Sequence, residues 1–221
     1  MIVDWQLILQ SSKQTLLMVI CSTIVAYLIG LPIGILLYYT SKKGLRPNSF
    51  INLVLGAIVN FFRSIPCVLL IVILIPVTNV VIGQGLWTGY WFSMVVPLIA
   101  ASFGFIARMV EQSLSEIDSG VIEAAKSMGT SDLKIILKVL IPETVPSLIS
   151  GFAVAVVTII GYTAFASYIG AGGLIVDSFN LGFVHGKQKM MWFCVLCLVL
   201  IVQVIQEGGL YISKLLDKRR K

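Results

Sequence analysis

Residues Arg108–Pro142 read RMVEQSLSEIDSGVIEAAKSMGTSDLKIILKVLIP. This is the longest charge-bearing stretch in a chain that is otherwise mostly apolar. Val121, Ile122, Ala125 and Met128 fall on one helical face. Leu133, Ile136, Leu137 and Leu140 repeat the pattern, with Lys134 and Lys138 four residues apart on another side. Both are a 3.6-residue period. Between them lies Met128-Gly129-Thr130-Ser131. Gly129 tolerates the left-handed backbone that ends a helix, and Thr130 or Ser131 can cap the next one. The stretch therefore predicts two short amphipathic helices joined by a tight turn, with Pro142 breaking the second. They are too polar to span a bilayer and too apolar on one side to stand free in water. Such a pair needs a partner surface.

The composition places that pair beside a membrane. The 221 residues are 58% hydrophobic and 12% charged, with a mean hydropathy of +1.00. A soluble domain carries about twice that charge. The apolar residues come in runs of roughly 20, the length that crosses a bilayer. The expected fold is all-α: a polytopic membrane protein with five transmembrane helices, residues 1–221 forming one transmembrane domain. The net charge of +6 does not form a nucleic-acid patch, because the basic residues cluster beside the spans.

Met1–Ser12 reads as a short N-terminal segment without the basic start of a cleaved signal peptide. The first span is expected over Thr15–Tyr39, where Gly30, Pro32 and Gly34 mark kinks or close helix contacts, so the helix is expected to bend in its later half. The run from Phe50 to Ile82 is too long for one straight span and is interrupted at Arg63-Ser64-Ile65-Pro66. It is either an interfacial helix followed by a span, or one tilted helix kinked at Pro66. Arg63 is either a contact in the pathway or with a neighbouring helix, or an interfacial anchor. Trp87, Tyr90 and Trp91 suggest an aromatic belt ahead of a third span, Trp91–Ala107. The fourth span, about Pro146–Ile169, is rich in small residues, Gly151 and Gly161 among them, which permit close helix approach or leave room for a solute. Leu174–Gln188 reads as a mixed loop, and Met190–Ile212 as the fifth span.

Chemistry-bearing clusters are scarce. The P-loop pattern is absent; Gly182–Gln188 has the wrong glycine spacing and no hydroxyl residue after its lysine. Cys194 and Cys197 form a C-x-x-C string inside a span and read as packed or lipid-facing thiols. No catalytic site and no metal site is expected. The spans hold almost no carboxylates, Glu207 being the main exception, which argues against an ion-coupled transporter. Energy must then come from a soluble motor docked on the amphipathic pair, or the protein is a passive pore. A pathway lined by the second to fourth spans, without buried charge, is the expectation.

Glu123-Ala124-Ala125, three residues, Gly129, nine residues, then Val139-Leu140-Ile141-Pro142 resembles the EAA loop of ABC importer permeases. Val139 and Ile141 stand conservatively for the family's isoleucine and leucine. The resemblance extends from Thr15 to Lys214 and is strongest to the methionine importer permeases. It is carried by Gly30-Leu-Pro-Ile-Gly34, Asn60-Phe-Phe-Arg-Ser-Ile-Pro66, Phe105-Ile-Ala-Arg-Met-Val-Glu111 and Gly170-Ala-Gly-Gly-Leu174. It implies an ABC type I importer permease fold in a bacterial inner membrane, with Glu123, Ala124, Ala125, Gly129 and Pro142 coupling to an ATPase. It further implies a homodimer, two ABC ATPase subunits that bind the ATP and magnesium, an external substrate-binding lipoprotein, and D- and L-methionine as cargo. Arg63, Ser64, Pro66, Gly151 and Gly161 are candidate pathway or helix contacts, the two glycines near the dimer axis. A permease for another amino acid or small ligand shares the EAA segment. A passive channel has no use for that spacing, and a membrane enzyme would need a catalytic cluster.

Twelve of the sixteen Lys and Arg residues lie in 41–49, 108–142 and 214–221. The positive-inside rule therefore predicts an external N-terminus, a cytoplasmic C-terminus and a cytoplasmic helix pair. Single cysteines placed in Ser41–Ser49 should resist impermeant thiol reagents in intact cells and react once the membrane is opened. Ready labelling from outside would invert this topology.

Overall fold

The computed structural model describes residues 4–83 and 89–217; Trp87 and the basic tail beyond Asp217 lie outside them. Among the described residues there are ten α-helices and no strand. The first, α1 (Trp5–Thr40), is 36 residues long and starts ten residues earlier than the sequence suggested. Asp4 caps it, accepting the Leu7 amide at 3.1 Å. This cap turns the supposed N-terminal segment into nearly three more helical turns.

Pro32 lies inside α1, between two glycines that make a close helix contact. A Cβ on Gly30 would stand 2.8 Å from the Phe103 carbonyl, and one on Gly34 would stand 2.5 Å from that of Ala107. The two glycines are therefore the seam along which α1 lies on α5 (Val95–Ser115). Without a Cβ on one side, the two backbones come close enough for dispersion contact along their length.

A short polar turn leads into α2 (Ser49–Ser64), capped by Asn48. Asn52 ties the start of α2 to the end of α1, donating to the Leu37 carbonyl at 2.8 Å and to Thr40 Oγ1 at 3.2 Å. The long second run breaks at Ile65-Pro66. Here α2 and α3 (Cys67–Ile73) meet at 100°, and α4 (Ile75–Ile82) follows. So the run is a sharply bent helix pair, the geometry of a broken span or a re-entrant loop. Proline disfavours helical geometry in the residue before it and cannot continue the ladder.

A 3₁₀ turn, Trp91–Met94, precedes α5. The helix does not stop at Arg108; it runs two more turns to Ser115. After α6 (Ser119–Ser127) and α7 (Asp132–Ile135), a π-helical turn over Ile136–Leu140 leads without a break into α8 (Ile141–Tyr162). Pro142 thus does not end the second amphipathic helix. Its missing N–H and its ring are accommodated directly after the wider turn, and the helix carries on. The segment expected as a loop after Gly173 is also helical, through α9 (Leu174–Asp177) and a π turn to Val184. Finally α10 (Gln188–Leu216) packs on α8, with Gly209 against Ala153 and Ser213 Oγ donating to the Pro146 carbonyl at 2.7 Å.

Among the described residues four helices are long and apolar enough to cross a membrane, and a fifth crossing exists if the bent pair counts as one span. Contacts sort the ends. The 41–48 turn meets α6, since Lys126 Nζ donates to the Leu45 carbonyl at 3.2 Å. The end of α10 meets the start of α8 at that same end. At the opposite end Thr15 Oγ1 accepts the Leu174 amide at 2.9 Å, and Ser11 donates to Asp177. Burial raises the Asp177 carboxyl above the usual range, and the Ser11 hydrogen bond partly offsets this. Cys194 is buried and Cys197 half-buried, both as free thiols. Glu207, read as an interfacial residue or a partner for lysine, accepts from Gln203 at 3.4 Å.

The seam is the most demanding packing in the bundle. Gly34→Val should cost about 1–3 kcal/mol by overpacking, read as a lowered Tm of the purified protein in detergent. Val on the opposite face of α1, as in Leu28→Val, should change little because Leu28 is 70% exposed.

Candidate functional site

The α6–α7 pair is built by local rules. Asp118 caps α6, accepting the Gly120 amide at 2.7 Å. At its end Gly129 has φ +71°. The Gly129 amide bonds the Lys126 carbonyl at 2.9 Å, and the Thr130 amide bonds that of Ala125 at 3.3 Å. This is the two-bond Schellman termination, which calls for the left-handed conformation at this residue. Ser131 then starts α7, its carbonyl accepting the Ile135 amide at 3.0 Å.

The apolar stripes divide between inside and outside. Ile122, Ala125, Ile135 and Leu140 are buried against Tyr38, Leu45, Leu114 and Ile117. Val121, Met128, Leu133 and Leu137 face away, 42%, 77%, 67% and 55% exposed. Glu123 and Ala124 are exposed beside them. The periodicity located the helices but did not separate the residues that seat the pair from those left outward. What results is an apolar surface with one carboxylate, held on the bundle by its other face.

Three polar contacts brace that surface, none of them visible in the sequence pattern. Arg46 Nε meets Asp132 Oδ2 at 2.6 Å, and Tyr39 Oη donates to the same oxygen at 3.0 Å. Lys126 supplies the third through Leu45. They join the end of α1 and its following turn to both members of the pair. An acid in the first turn of a helix was the available hint for Asp132.

A cavity of about 330 Å³ opens between α2, α5 and α8, the second to fourth spans. Of the five candidate contacts, Arg63 and Gly151 line it; Ser64, Pro66 and Gly161 do not. Ser64 Oγ donates to the Asn60 carbonyl at 2.7 Å near the end of α2. Pro66 opens α3 at the bend. A Cβ on Gly151 would meet the Met109 side chain, whereas Gly161 faces open space. Contrary to expectation the cavity is charged, with Arg63, Arg108 and Glu116 on its walls. Arg108 Nη1 pairs with Glu111 Oε2 at 2.7 Å, and both side chains are largely covered. Arg108 also donates to Asn60 Oδ1 at 3.0 Å and to the Gly56 carbonyl at 3.3 Å, pinning α2 to α5. Ending the third span at Ala107 hid this pair, because Glu111 then counted as part of a loop. The i, i+3 spacing of Arg108 and Glu111 was the signal that could have found it.

A helical bundle of apolar spans, with a braced apolar surface at one end and a polar cavity between its central helices, defines a membrane permease. The chain belongs to the binding-protein-dependent transport system inner membrane components, whose family model matches residues 30–219. It is 38% identical over 213 residues to the probable D-methionine transport system permease protein MetI of Vibrio cholerae, covering 96% of this chain and 93% of that one. It is 43% identical over 188 residues to the methionine import system permease protein MetP of Bacillus subtilis, covering 83% and 82%. Among solved structures, a chain of the MetNI methionine ABC transporter in an inward-facing conformation superposes with a TM-score of 0.92 at 36% identity, covering 97% and 98%. An amino acid ABC transporter at 20% identity shares the fold, with a TM-score of 0.71. The fold is that of an ABC importer permease.

Removing the shared brace should loosen the surface without unfolding the bundle. Asp132→Ala is expected to cost about 0.5–1.5 kcal/mol, since Arg46 is mostly in solvent and the Tyr39 hydrogen bond supplies much of the effect. Amide exchange should quicken across residues 119–135 while the middle of α5 stays protected.

Proposed function

We propose that this chain is the permease subunit of an ATP-driven methionine importer, acting as a homodimer with two ATPase subunits and an external binding lipoprotein. The observation that carries this reading is the braced outward face of α6 and α7. Val121, Met128, Leu133 and Leu137 would stay wet on a lone chain, and Glu123 sits beside them. A soluble motor with a matching cleft covers that face. Ala124 keeps the helix slim where it seats, and Glu123 offers a charge-assisted hydrogen bond to the partner. Because the brace ties this face to α1, and Leu114 and Ile117 tie it to α5, movement of the motor is passed to the spans. The charge bias supports a cytoplasmic position for this end, with α9 on the outside, where the lipoprotein delivers its cargo.

One copy supplies one docking face and half of a pathway; ATPases that work in pairs call for two copies about a two-fold axis. The names of the relatives support methionine as the cargo. The ATP and magnesium belong to the motor.

The test is radiolabelled methionine uptake in cells that lack their own importer, with the operon partners co-expressed. Wild type should restore uptake. Glu123→Ala removes a contact worth roughly 1.5–3 kcal/mol in a covered interface, and Gly129→Val forces a β-branched residue to positive φ. Both should insert in the membrane yet lose co-purifying ATPase and uptake. Full retention of both by the two variants would end the docking assignment.

A further inference from the structure

Arg63 is the one feature of the cavity that the docking surface does not explain. It extends from α2 across the face of α5, its Cγ 3.1 Å from where a Cβ on Gly104 would stand. Gly104 lies at the middle of the 21-residue helix α5, so the stem of Arg63 crosses that helix at mid-length, its side chain exposed on the lone chain. A cation at that depth is costly unless it is paired or meets a solute. The neighbouring Arg108 is satisfied by Glu111, Asn60 and Gly56. Among the described residues Arg63 has neither a hydrogen bond nor an ion pair. It nevertheless lines the 330 Å³ cavity, whose other walls include the apolar Phe105 and Val154. That volume is at the lower end of the range for small-molecule sites.

We propose that Arg63 is a carboxylate-binding residue within the cavity, a station for the α-carboxylate of an amino acid in transit, with the apolar side chain resting on the Phe105 and Val154 wall. The chemistry is directional. A guanidinium gives a planar, always-charged donor fork that matches a carboxylate. Arg108 and Glu116 also line the cavity, and Arg108 is already paired with Glu111, so Arg63 is the guanidinium left to meet a carboxylate. One such contact orients the solute and remains weak enough to release it. This deepens the importer reading and rests on it for the identity of the cargo.

The experiment uses the permease–ATPase complex in nanodiscs, without the binding lipoprotein, and L-[³⁵S]methionine as the probe. Wild type should show weak saturable binding, on the order of millimolar. Unlabelled methionine should compete, and methioninamide, which lacks the carboxylate, should not. Arg63→Gln should weaken binding by about tenfold or more. Arg63→Lys, which keeps the charge without the fork, should fall between. Assembly with the ATPase and basal ATP hydrolysis report whether the variants are intact. Equal competition by methioninamide overturns the proposal on wild-type protein alone, even if the glutamine variant fails to assemble. An assembled Arg63→Gln complex that binds like wild type overturns it as well. If cells expressing the wild type take up methionine while either of those results is obtained, the station is wrong and the importer reading stands. If the wild type instead carries another amino acid, the importer reading changes its cargo, and the same comparison is made with that acid and its amide.

Discussion

Close approach of α1 to α5 along Gly30 and Gly34 is the constraint on which the rest of the bundle depends. In a bilayer there is no hydrophobic gain from bringing two apolar helices together, so packing quality decides. With no Cβ at these positions, α1 rests on the α5 backbone at Phe103 and Ala107. The far faces of α5 are then left for α2 and α8. Arg108 holds the former through Asn60 and Gly56, and the Ser113–Ser147 hydroxyl pair at 2.8 Å marks the latter. Helix α5 is thus the spine, contacted on several sides, and its extension to Ser115 carries the packing out to α6.

The charged residues of that spine change the physical picture of the interior. An Arg and a Glu one turn apart on one helix neutralise each other locally, and the guanidinium still reaches a side-chain amide and a carbonyl on α2. A satisfied pair of this kind gives a polar lining without a large stored cost. It also ties α2 to α5 up to the 100° bend at Pro66, beyond which Cys67 and Ile71 of α3 are buried with Met94 and Leu98.

At the other end of α5 the helix pair is arranged as a plate on a bracket. Its inner residues, Ile122, Ala125, Ile135 and Leu140, are buried, and its outer ones are exposed. Because α7 continues through a π turn into α8, the plate is joined to a span by continuous helix. The Asp132 brace provides a second route, through Tyr39 and Arg46, to α1.

Much of this was legible in the residues themselves. Apolar runs of bilayer length determine the class, because a backbone in lipid must satisfy its own hydrogen bonds as helix. Glu123-Ala124-Ala125 with Gly129 at its spacing determines the family and the turn, since only a left-handed position demands glycine there. Helix boundaries were less legible: Asp4, Pro142 and the stretch after Arg108 all gave way to neighbours that extend the helix. Periodicity names a stripe but not which half of it is covered, so the outward set of Val121, Met128, Leu133 and Leu137 emerged only from the fold. The same holds for contacts between residues far apart in the chain: Arg46 with Asp132, Arg108 with Asn60, Arg63 over Gly104. Local pattern sets the elements through short-range sterics and hydrogen bonding. Which polar groups meet across them depends on how the helices are rotated and packed, and that was decided by the glycine seam and the shape of the whole bundle.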